Sequence, residues 1–272
     1  MPVLDTGDGA IHYQVHGHGR ALVLVHAISA GMGMWDAQVE RFSQEHRVIV
    51  FDARGVGRSA PIRGWRGIRD RMADDIAELL DELGIDHASI CGVSFGGVIA
   101  QHFALRHPGR VERLAVVDAY SDTRPLTVQR ALWLASVYSG AVSNLLPARA
   151  LSAIMRQQYR RWPAAADYLS RAVQDLRPLD ALKTRLAINL VNYPPALNTG
   201  AFPVLGVVGE SSWPRSRTFM QEMDSAVPRM QLVEVAESSD PTPLCRPDVF
   251  NEILADFLSG RPVAARPGIT VG

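Results

Sequence analysis

The chain has 272 residues and 47% of them are hydrophobic, which is enough to bury the core of one α/β domain. Its 28 lysines and arginines balance 28 aspartates and glutamates, so no net charge attracts nucleic acid or an anionic membrane. The first residues have neither the basic nor the apolar region of a signal peptide, and no apolar run is long enough to span a bilayer. We therefore expect a cytoplasmic protein that acts on a small molecule, without nucleic-acid or membrane partners; the oligomeric state stays open.

Turn signals and alternation predict the first strands. Gly7-Asp8-Gly9 is a turn signal, and residues 11–15 alternate between apolar and polar side chains, which predicts an opening antiparallel hairpin. Residues 21–25 and 47–51 are apolar runs, as expected for strands covered on both faces. The same criteria predict strands over residues 88–91, 111–118, 203–209 and 230–235, and helices over residues 70–83, 97–105 and 247–258.

One segment breaks this alternation of strands and helices. Residues 121–200 are helical in pattern and far too long for a simple crossover loop, so we interpret them as a helical cap inserted between two strands. Residues 1–120 and 201–260 then form one α/β core with a doubly wound, mostly parallel sheet. The Pro-, Gly- and Ala-rich tail over residues 261–272 is expected to be flexible.

A Gly-x-Ser-x-Gly motif carries the strongest chemical signal in the chain. Gly92, Ser94 and Gly96 follow a predicted strand and precede a predicted helix. In this context, small residues on both sides let the backbone close a tight strand-to-helix turn that exposes the serine hydroxyl. The N-terminal N–H groups of the following helix point towards the serine and favour an anion there. Ser94 is therefore the first candidate catalytic residue.

Two further strand ends extend this pattern. Residues 24–28 close an apolar strand and open a loop, and residues 51–59 end the next strand in a glycine-rich turn. Together with the Ser94 motif, they resemble the α/β-hydrolase superfamily, in the branch of enol-lactone hydrolases, meta-cleavage hydrolases, proline iminopeptidases and cofactor-free haloperoxidases. The resemblance covers about residues 10–120 and 203–258, and it implies the α/β-hydrolase fold.

The resemblance also implies an oxyanion hole made of two backbone N–H groups, those of Phe95 and Ile28. The family usually has glycine where this chain has Ala27, which affects the backbone angles that the loop can adopt. His26 matches a family histidine, for which we expect a supporting role in bonding the loop backbone rather than a role in catalysis. Residues 52–59 are a family marker that we interpret as structural.

The other catalytic residues of the family are missing from their usual places. The resemblance puts an acid after the strand over 203–209 and a histidine after the strand over 230–235, but Ser212 and Asp240 stand at these positions. Serine alone is a poor nucleophile, because an imidazole has to take its proton and an acid has to orient that imidazole. No histidine follows His107, so no change of register restores one.

Alternatives for these two positions stay open. A shifted register would recruit Glu210 as the acid, and a variation within the family places the acid after an earlier strand, at Asp118, although such an aspartate more often just ends its strand. His102 lies two turns into the helix after the elbow, at a position that is usually exposed, so we do not expect it to replace the missing histidine.

The remaining groups favour chemistry other than fast acyl-enzyme turnover. Asp240 is predicted to face Ser94, and burial under an apolar cap would raise the pKa of its carboxyl into a range that suits proton transfer. These residues and an oxyanion hole fit isomerisation, cyclisation, elimination or decarboxylation of a small, largely apolar carbonyl compound in bacterial secondary metabolism. The alternatives are an ester, lactone or C–C hydrolase with a rearranged triad, and a catalytically inactive binding or partner protein. No cofactor or metal is predicted, since the two cysteines form no metal motif.

Overall fold

The structure, a computed structural model, describes residues 2–272. Within this part of the chain, one sheet contains nine strands: β1 Val3–Asp5, β2 Ala10–His16, β3 Arg20–Val25, β4 His46–Phe51, β5 Ala88–Val93, β6 Val111–Val117, β7 Val204–Gly209, β8 Met230–Val235 and β9 Ile269–Val271. Their order across the sheet is β1-β2-β4-β3-β5-β6-β7-β8-β9. The strands from β4 to β8 in this order run parallel, and β1, β2 and β9 pair antiparallel at the edges. The predicted mostly parallel sheet is thus confirmed.

Helices cover both faces of this sheet. The described residues contain α1 Asp36–Phe42, α2 Ile68–Glu82, α3 Phe95–Arg106, α4 Val128–Gly140, α5 Ala148–Gln158, α6 Pro163–Ala172, α7 Pro178–Ala187, α8 Pro194–Thr199, α9 Pro214–Ala226, α10 Thr242–Cys245 and α11 Pro247–Leu258. Helices α2, α3 and α9 pack on one face, and α1 and α11 pack on the other. Successive strand residues point to opposite faces, so in β3 Val23 and Val25 join one core while Leu22 and Leu24 join the other. The sheet is therefore doubly wound.

The end of the chain differs from the prediction of a flexible tail over residues 261–272. Ile269–Val271 forms β9, which pairs antiparallel with β8, and the side chain of Ile269 is buried. Without β9, strand β8 would present a row of unpaired backbone groups at the sheet edge. A three-residue strand after a Pro- and Gly-rich stretch has too few residues for its periodicity to be recognised in the sequence.

Helices α4 to α8 form a helical insertion between β6 and β7, in the segment where the sequence predicts inserted helices. An antiparallel bridge between Asp122 and Asn192 joins the segment before α4 to the segment between α7 and α8. At the turn between α5 and α6, Tyr159 donates a hydrogen bond to the Asp240 carbonyl oxygen, and Trp162 donates one to a carbonyl in the same loop. These contacts hold α5 and α6 against the loop that follows β8, at the carboxyl edge of the parallel strands.

Neither a membrane span nor a metal cluster is found in the described part of the chain. No helix within residues 2–272 is long and apolar enough to cross a membrane. The same residues include no group of three or more histidine, cysteine, aspartate or glutamate side chains that could hold a metal ion. Cys91 and Cys245 are buried free thiols, and burial raises the pKa of the Cys245 thiol to about 12, which makes a reactive thiolate at neutral pH unfavourable.

Candidate active site

Ser94 lies on a strained turn between β5 and α3, with φ of 53° and ψ of −115°. A residue other than glycine in this left-handed region costs roughly 1–3 kcal/mol, which the surrounding packing has to offset. The two flanking glycines make the turn sterically feasible. A Cβ on Gly92 would lie 2.1 Å from the Gly96 carbonyl oxygen, and a Cβ on Gly96 would lie 2.1 Å from the Val25 carbonyl oxygen. The Gly-x-Ser-x-Gly spacing is therefore required by backbone contacts.

The structure brings Ser94 and Asp240 together. The Ser94 hydroxyl donates a hydrogen bond to Asp240 Oδ2 at 3.0 Å, although 146 positions separate the two residues in the chain. Asp240 lies in the loop between β8 and α10. Burial raises the pKa of its carboxyl well above the usual value, and the nearby Asp118 carboxylate raises that pKa further. The hydrogen bond from Ser94 and the positive charge of Arg185 act in the opposite direction.

Asp118 is a second buried carboxylate at this end of the sheet, directly after β6. Its Oδ1 accepts hydrogen bonds from the Gly209 N–H and the Ser212 hydroxyl, both at 2.9 Å, and its Oδ2 accepts one from the Thr242 N–H at 2.7 Å. Burial raises the pKa of Asp118, while these three donors favour the charged form and limit the rise. Asp118 therefore does more than end its strand: it ties the loops after β7 and β8 to β6. Ser212 stands at the position where the family has its acid, and its hydroxyl donates a hydrogen bond to Asp118 instead.

Two alternatives from the sequence do not lie at Ser94. Glu210 is exposed, and its Oε2 accepts a hydrogen bond from the Glu237 N–H. His102 was expected to be exposed, but it is buried: its Nε2 lies 2.7 Å from Asp70 and its Nδ1 lies 3.4 Å from the Tyr193 hydroxyl. That expectation is wrong because α2 and α8 both pack against α3. Burial lowers the pKa of His102.

Two backbone N–H groups at the predicted oxyanion hole lack hydrogen-bond partners in residues 2–272. They belong to Phe95, the first residue of α3, and to Ile28, in the loop after β3. An oxyanion at Ser94 would need unpaired donors of this kind. Ala27 does not adopt a positive φ, so this loop does not require glycine at that position. The neighbouring Ser29 takes the left-handed conformation instead, with φ of 60°.

His26 occupies a supporting position beneath this loop. Its side chain is fully buried, and its Nδ1 lies 2.7 Å from the Ala27 carbonyl oxygen, while its Nε2 accepts a hydrogen bond from the Ala53 N–H at 2.9 Å. Burial lowers the pKa of the imidazole, which favours the neutral form that these two contacts require. Asp52 likewise accepts hydrogen bonds from the N–H groups of Met32 and Arg58. These contacts are structural, as the sequence suggests for both segments.

Three residues near the site were not identified in the sequence. Tyr159 and Arg185 lie in the helical insertion, and Thr242 follows Asp240 by two positions. Helical periodicity shows which residues share a helix face, but it does not show which face meets a distant loop. The Tyr159 hydroxyl donates to the Asp240 carbonyl oxygen at 2.6 Å, a contact for which the sequence contains no local signal.

Changing Asp118 to asparagine is expected to lower the pKa of the Asp240 carboxyl. The negative charge of Asp118 disfavours a second charge nearby, so its removal makes ionisation of Asp240 easier. NMR titration of protein with 13C-labelled aspartate carboxyls measures this pKa directly, and the Asp240→Asn variant assigns the signal. Ser212→Ala is the matched control, because it removes one donor to Asp118 and keeps both carboxyls. An unchanged Asp240 titration in Asp118→Asn would contradict the electrostatic coupling.

The fold and the serine elbow define the class to which the protein belongs. The family model for the alpha/beta hydrolase fold matches residues 20–236, so the chain belongs to the α/β-hydrolase family. A relative named carbamate hydrolase RutD, from Azorhizobium caulinodans, is 36% identical over 121 residues, which are 44% of this chain and 45% of that protein. The 3-oxoadipate enol-lactonase 2 of Acinetobacter baylyi is 32% identical over 118 residues, 41% of this chain and 43% of that protein. The matches thus span less than half the length of these curated relatives.

Solved structures resemble the chain over nearly its whole length. The enol-lactonase from Burkholderia xenovorans LB400 has a TM-score of 0.82 at 23% identity, and the match covers 95% of this chain and 100% of that one. A meta-cleavage product hydrolase from Pseudomonas fluorescens IP01 has a TM-score of 0.76 at 21% identity, with 95% and 97% covered. At these identities, the likeness shows a shared fold.

Proposed function

We propose that this protein is an enzyme that moves a proton on a small, largely apolar carbonyl compound, in an isomerisation, cyclisation, elimination or decarboxylation rather than a hydrolysis. The observation that supports the proposal is the hydrogen bond from Ser94 Oγ to Asp240 Oδ2 at 3.0 Å, where related enzymes have a serine–imidazole pair. A carboxylate with a raised pKa is a useful base for a carbon acid. The same carboxylate is, however, a weak base for a serine hydroxyl.

In the proposed reaction, Asp240 takes a proton from the carbon next to the substrate carbonyl. The C–H electron pair becomes the C=C bond of an enolate, and the carbonyl π pair moves onto oxygen. The N–H groups of Phe95 and Ile28 hold that oxygen, and each such donor contributes a factor of roughly 10²–10³ to the rate. Returning the proton to another carbon gives isomerisation, and loss of a group β to the carbonyl gives elimination. Ser94 orients the carboxylate through its hydrogen bond.

Hydrolysis is the second candidate, and the names of the relatives favour it. In that reaction, Ser94 would attack the carbonyl carbon, and Asp240 would take the hydroxyl proton. The retained elbow strain is consistent with a nucleophilic serine. The two candidates differ in what they need: proton transfer needs the Asp240 carboxylate above all, whereas hydrolysis needs a reactive Ser94.

Deuterium exchange separates these candidates. With 4-oxopentanoate as probe in D2O, the wild-type protein should speed the loss of proton signals next to the ketone, measured by 1H NMR. Asp240→Asn should slow the catalysed exchange by a factor of about 10²–10⁴, the usual contribution of a general base. Asp248→Asn is the matched control, because that aspartate is exposed at the start of α11.

Three other outcomes would each contradict part of the proposal. Rapid labelling of wild-type Ser94 by a fluorophosphonate, together with ester hydrolysis and no exchange, would contradict the proposal and favour the hydrolase. Exchange that survives Asp240→Asn would place the base elsewhere. Binding of the probe without exchange or labelling would favour a catalytically inactive binding protein.

A further inference from the structure

One cationic side chain beside the candidate site has no partner. Arg185, near the end of α7, forms neither a side-chain hydrogen bond nor an ion pair within residues 2–272, and its Nε is buried without an acceptor. Two other arginines that point inward have partners for their side chains. Arg54 pairs with Asp75 at 2.7 Å, and Arg177 donates to backbone carbonyl oxygens, including that of Gly57 at 3.0 Å.

The end of α7 is held at the same edge of the sheet as the two carboxylates. Tyr120 follows Asp118 by two positions, and its hydroxyl lies 3.3 Å from the Ile188 carbonyl oxygen and 3.2 Å from Asn189 Oδ1. Asn189 in turn donates to the Arg185 carbonyl oxygen at 2.7 Å. These bonds connect the loop after β6 to the helical turn that carries Arg185.

Arg185 and Asp240 interact without forming an ion pair. The positive charge of Arg185 favours the ionised form of Asp240, so the two groups lie within electrostatic range of each other. No guanidinium nitrogen of Arg185 lies within 4.0 Å of a described carboxylate oxygen. The Arg185 side chain is half-buried, and its guanidinium has donors without acceptors.

A half-buried guanidinium without hydrogen-bond acceptors is unfavourable unless a ligand supplies those acceptors. Arginine stays charged throughout the ordinary pH range, so it cannot escape the cost of burial by losing a proton. Its planar set of donors matches the two oxygens of a carboxylate. A dianionic group such as a phosphate is a poorer match, because Asp118 and Asp240 would repel its second charge.

We infer that Arg185 binds a carboxylate of the substrate, so that the compound reaching Ser94 and Asp240 is an oxo acid rather than a neutral carbonyl compound. The carbonyl part of this statement rests on the proposed function. The anion site itself rests on the unpartnered guanidinium and its place beside Asp240. Binding would fix the carboxylate end of the substrate. The length of the apolar chain between its carboxylate and its carbonyl would then set how close the carbonyl comes to Asp240.

Calorimetric titration of the full chain with carboxylates tests the inference. The probes are 4-oxopentanoate and the straight-chain acids from acetate to octanoate, each compared with the primary alcohol of the same length. Arg185→Gln should weaken carboxylate binding about tenfold or more, the usual effect of losing hydrogen bonds to a charged group, and should leave alcohol binding unchanged. Arg160→Gln is the matched control, because Arg160 is an exposed arginine of the same insertion. Thermal unfolding of each variant checks that it is folded, and Arg185→Lys, which keeps the charge, should bind more tightly than Arg185→Gln.

Two results of these titrations would overturn the inference. Equal carboxylate binding by wild type and Arg185→Gln would overturn it, as would the absence of carboxylate binding across the whole series. Failure of the proposed function would look different. If Arg185-dependent binding persists while the wild type catalyses no deuterium exchange, the anion site stands and the proton-transfer chemistry does not.

Discussion

Replacing Asp240 with histidine is expected to turn the protein into a fluorophosphonate-reactive serine hydrolase. The side chain at position 240 already lies within hydrogen-bond reach of the Ser94 hydroxyl. The Asp118 carboxylate is near enough to act on position 240 and would stabilise an imidazolium there. The unpaired N–H groups of Phe95 and Ile28 would then stabilise a tetrahedral intermediate. Labelling of Ser94 should become at least about 10²-fold faster than in wild type, the lower range of general-base catalysis.

Mass spectrometry of the labelled serine and hydrolysis of 4-nitrophenyl acetate measure this gain. Asp240→Asn is the matched control, since it removes the same carboxylate and supplies no base. Combining Asp240→His with Ser94→Ala should abolish labelling, and combining it with Asp118→Asn should return the rate most of the way towards wild type. Wild-type protein that is labelled as fast as Asp240→His would contradict both this prediction and the proposed proton-transfer role of Asp240.

Removing the Asp75 carboxylate should have the largest effect on stability. Asp75 in α2 accepts bidentate hydrogen bonds from Arg54, at 2.7 Å to Nε and 2.8 Å to Nη2, and only 2–3% of either side chain is exposed. Arg54 also donates to the Asp8 carbonyl oxygen at 3.1 Å, so the pair joins α2 to the first hairpin. Asp75→Ala leaves the buried guanidinium with only the more exposed Asp8 carboxylate at 4.0 Å, and breaking a buried ion pair typically costs about 3–5 kcal/mol in the free energy of unfolding.

Chemical denaturation monitored by circular dichroism measures that cost. Asp74→Ala provides the comparison within the same helix, because Asp74 contacts Arg106 and His107, each at 2.9 Å, at a site that is much more exposed than that of Asp75. Exposed pairs of this kind contribute at most about 1 kcal/mol. Similar losses of stability in the two variants would show that burial does not distinguish these ion pairs.

The sequence was most informative where a residue's role is set by its own neighbours in the chain. Gly92 and Gly96 have to be glycine because of backbone contacts on either side of Ser94, so the elbow could be recognised directly. The strands and helices of the core were equally accessible, because strands buried on both faces read as apolar runs. The juxtaposition of Ser94 with Asp240 followed from the family resemblance, which aligns position 240 with the histidine that pairs with the serine.

The roles that depend on side chains meeting across the fold were harder to predict. The sequence gives no reason for Ser212 to bond Asp118 rather than face Ser94, since that choice depends on how three separate loops pack. Burial of His102 depends on two other helices, and the unpartnered state of Arg185 depends on which acidic residues are absent around it. Such features arise from tertiary packing, and local periodicity does not encode them.

The bridge between Asp122 and Asn192 has a consequence for how such proteins diversify. Because this bridge brings the chain before α4 next to the chain after α7, the length and sequence of α4 to α7 can change without altering the register of the sheet. Ser94, Asp118 and Asp240 all lie outside this segment, whereas Arg185 lies within it. Under the proposed roles, recombination that exchanges this segment would change substrate recognition by Arg185 and keep Ser94, Asp118 and Asp240, so the two properties could evolve separately.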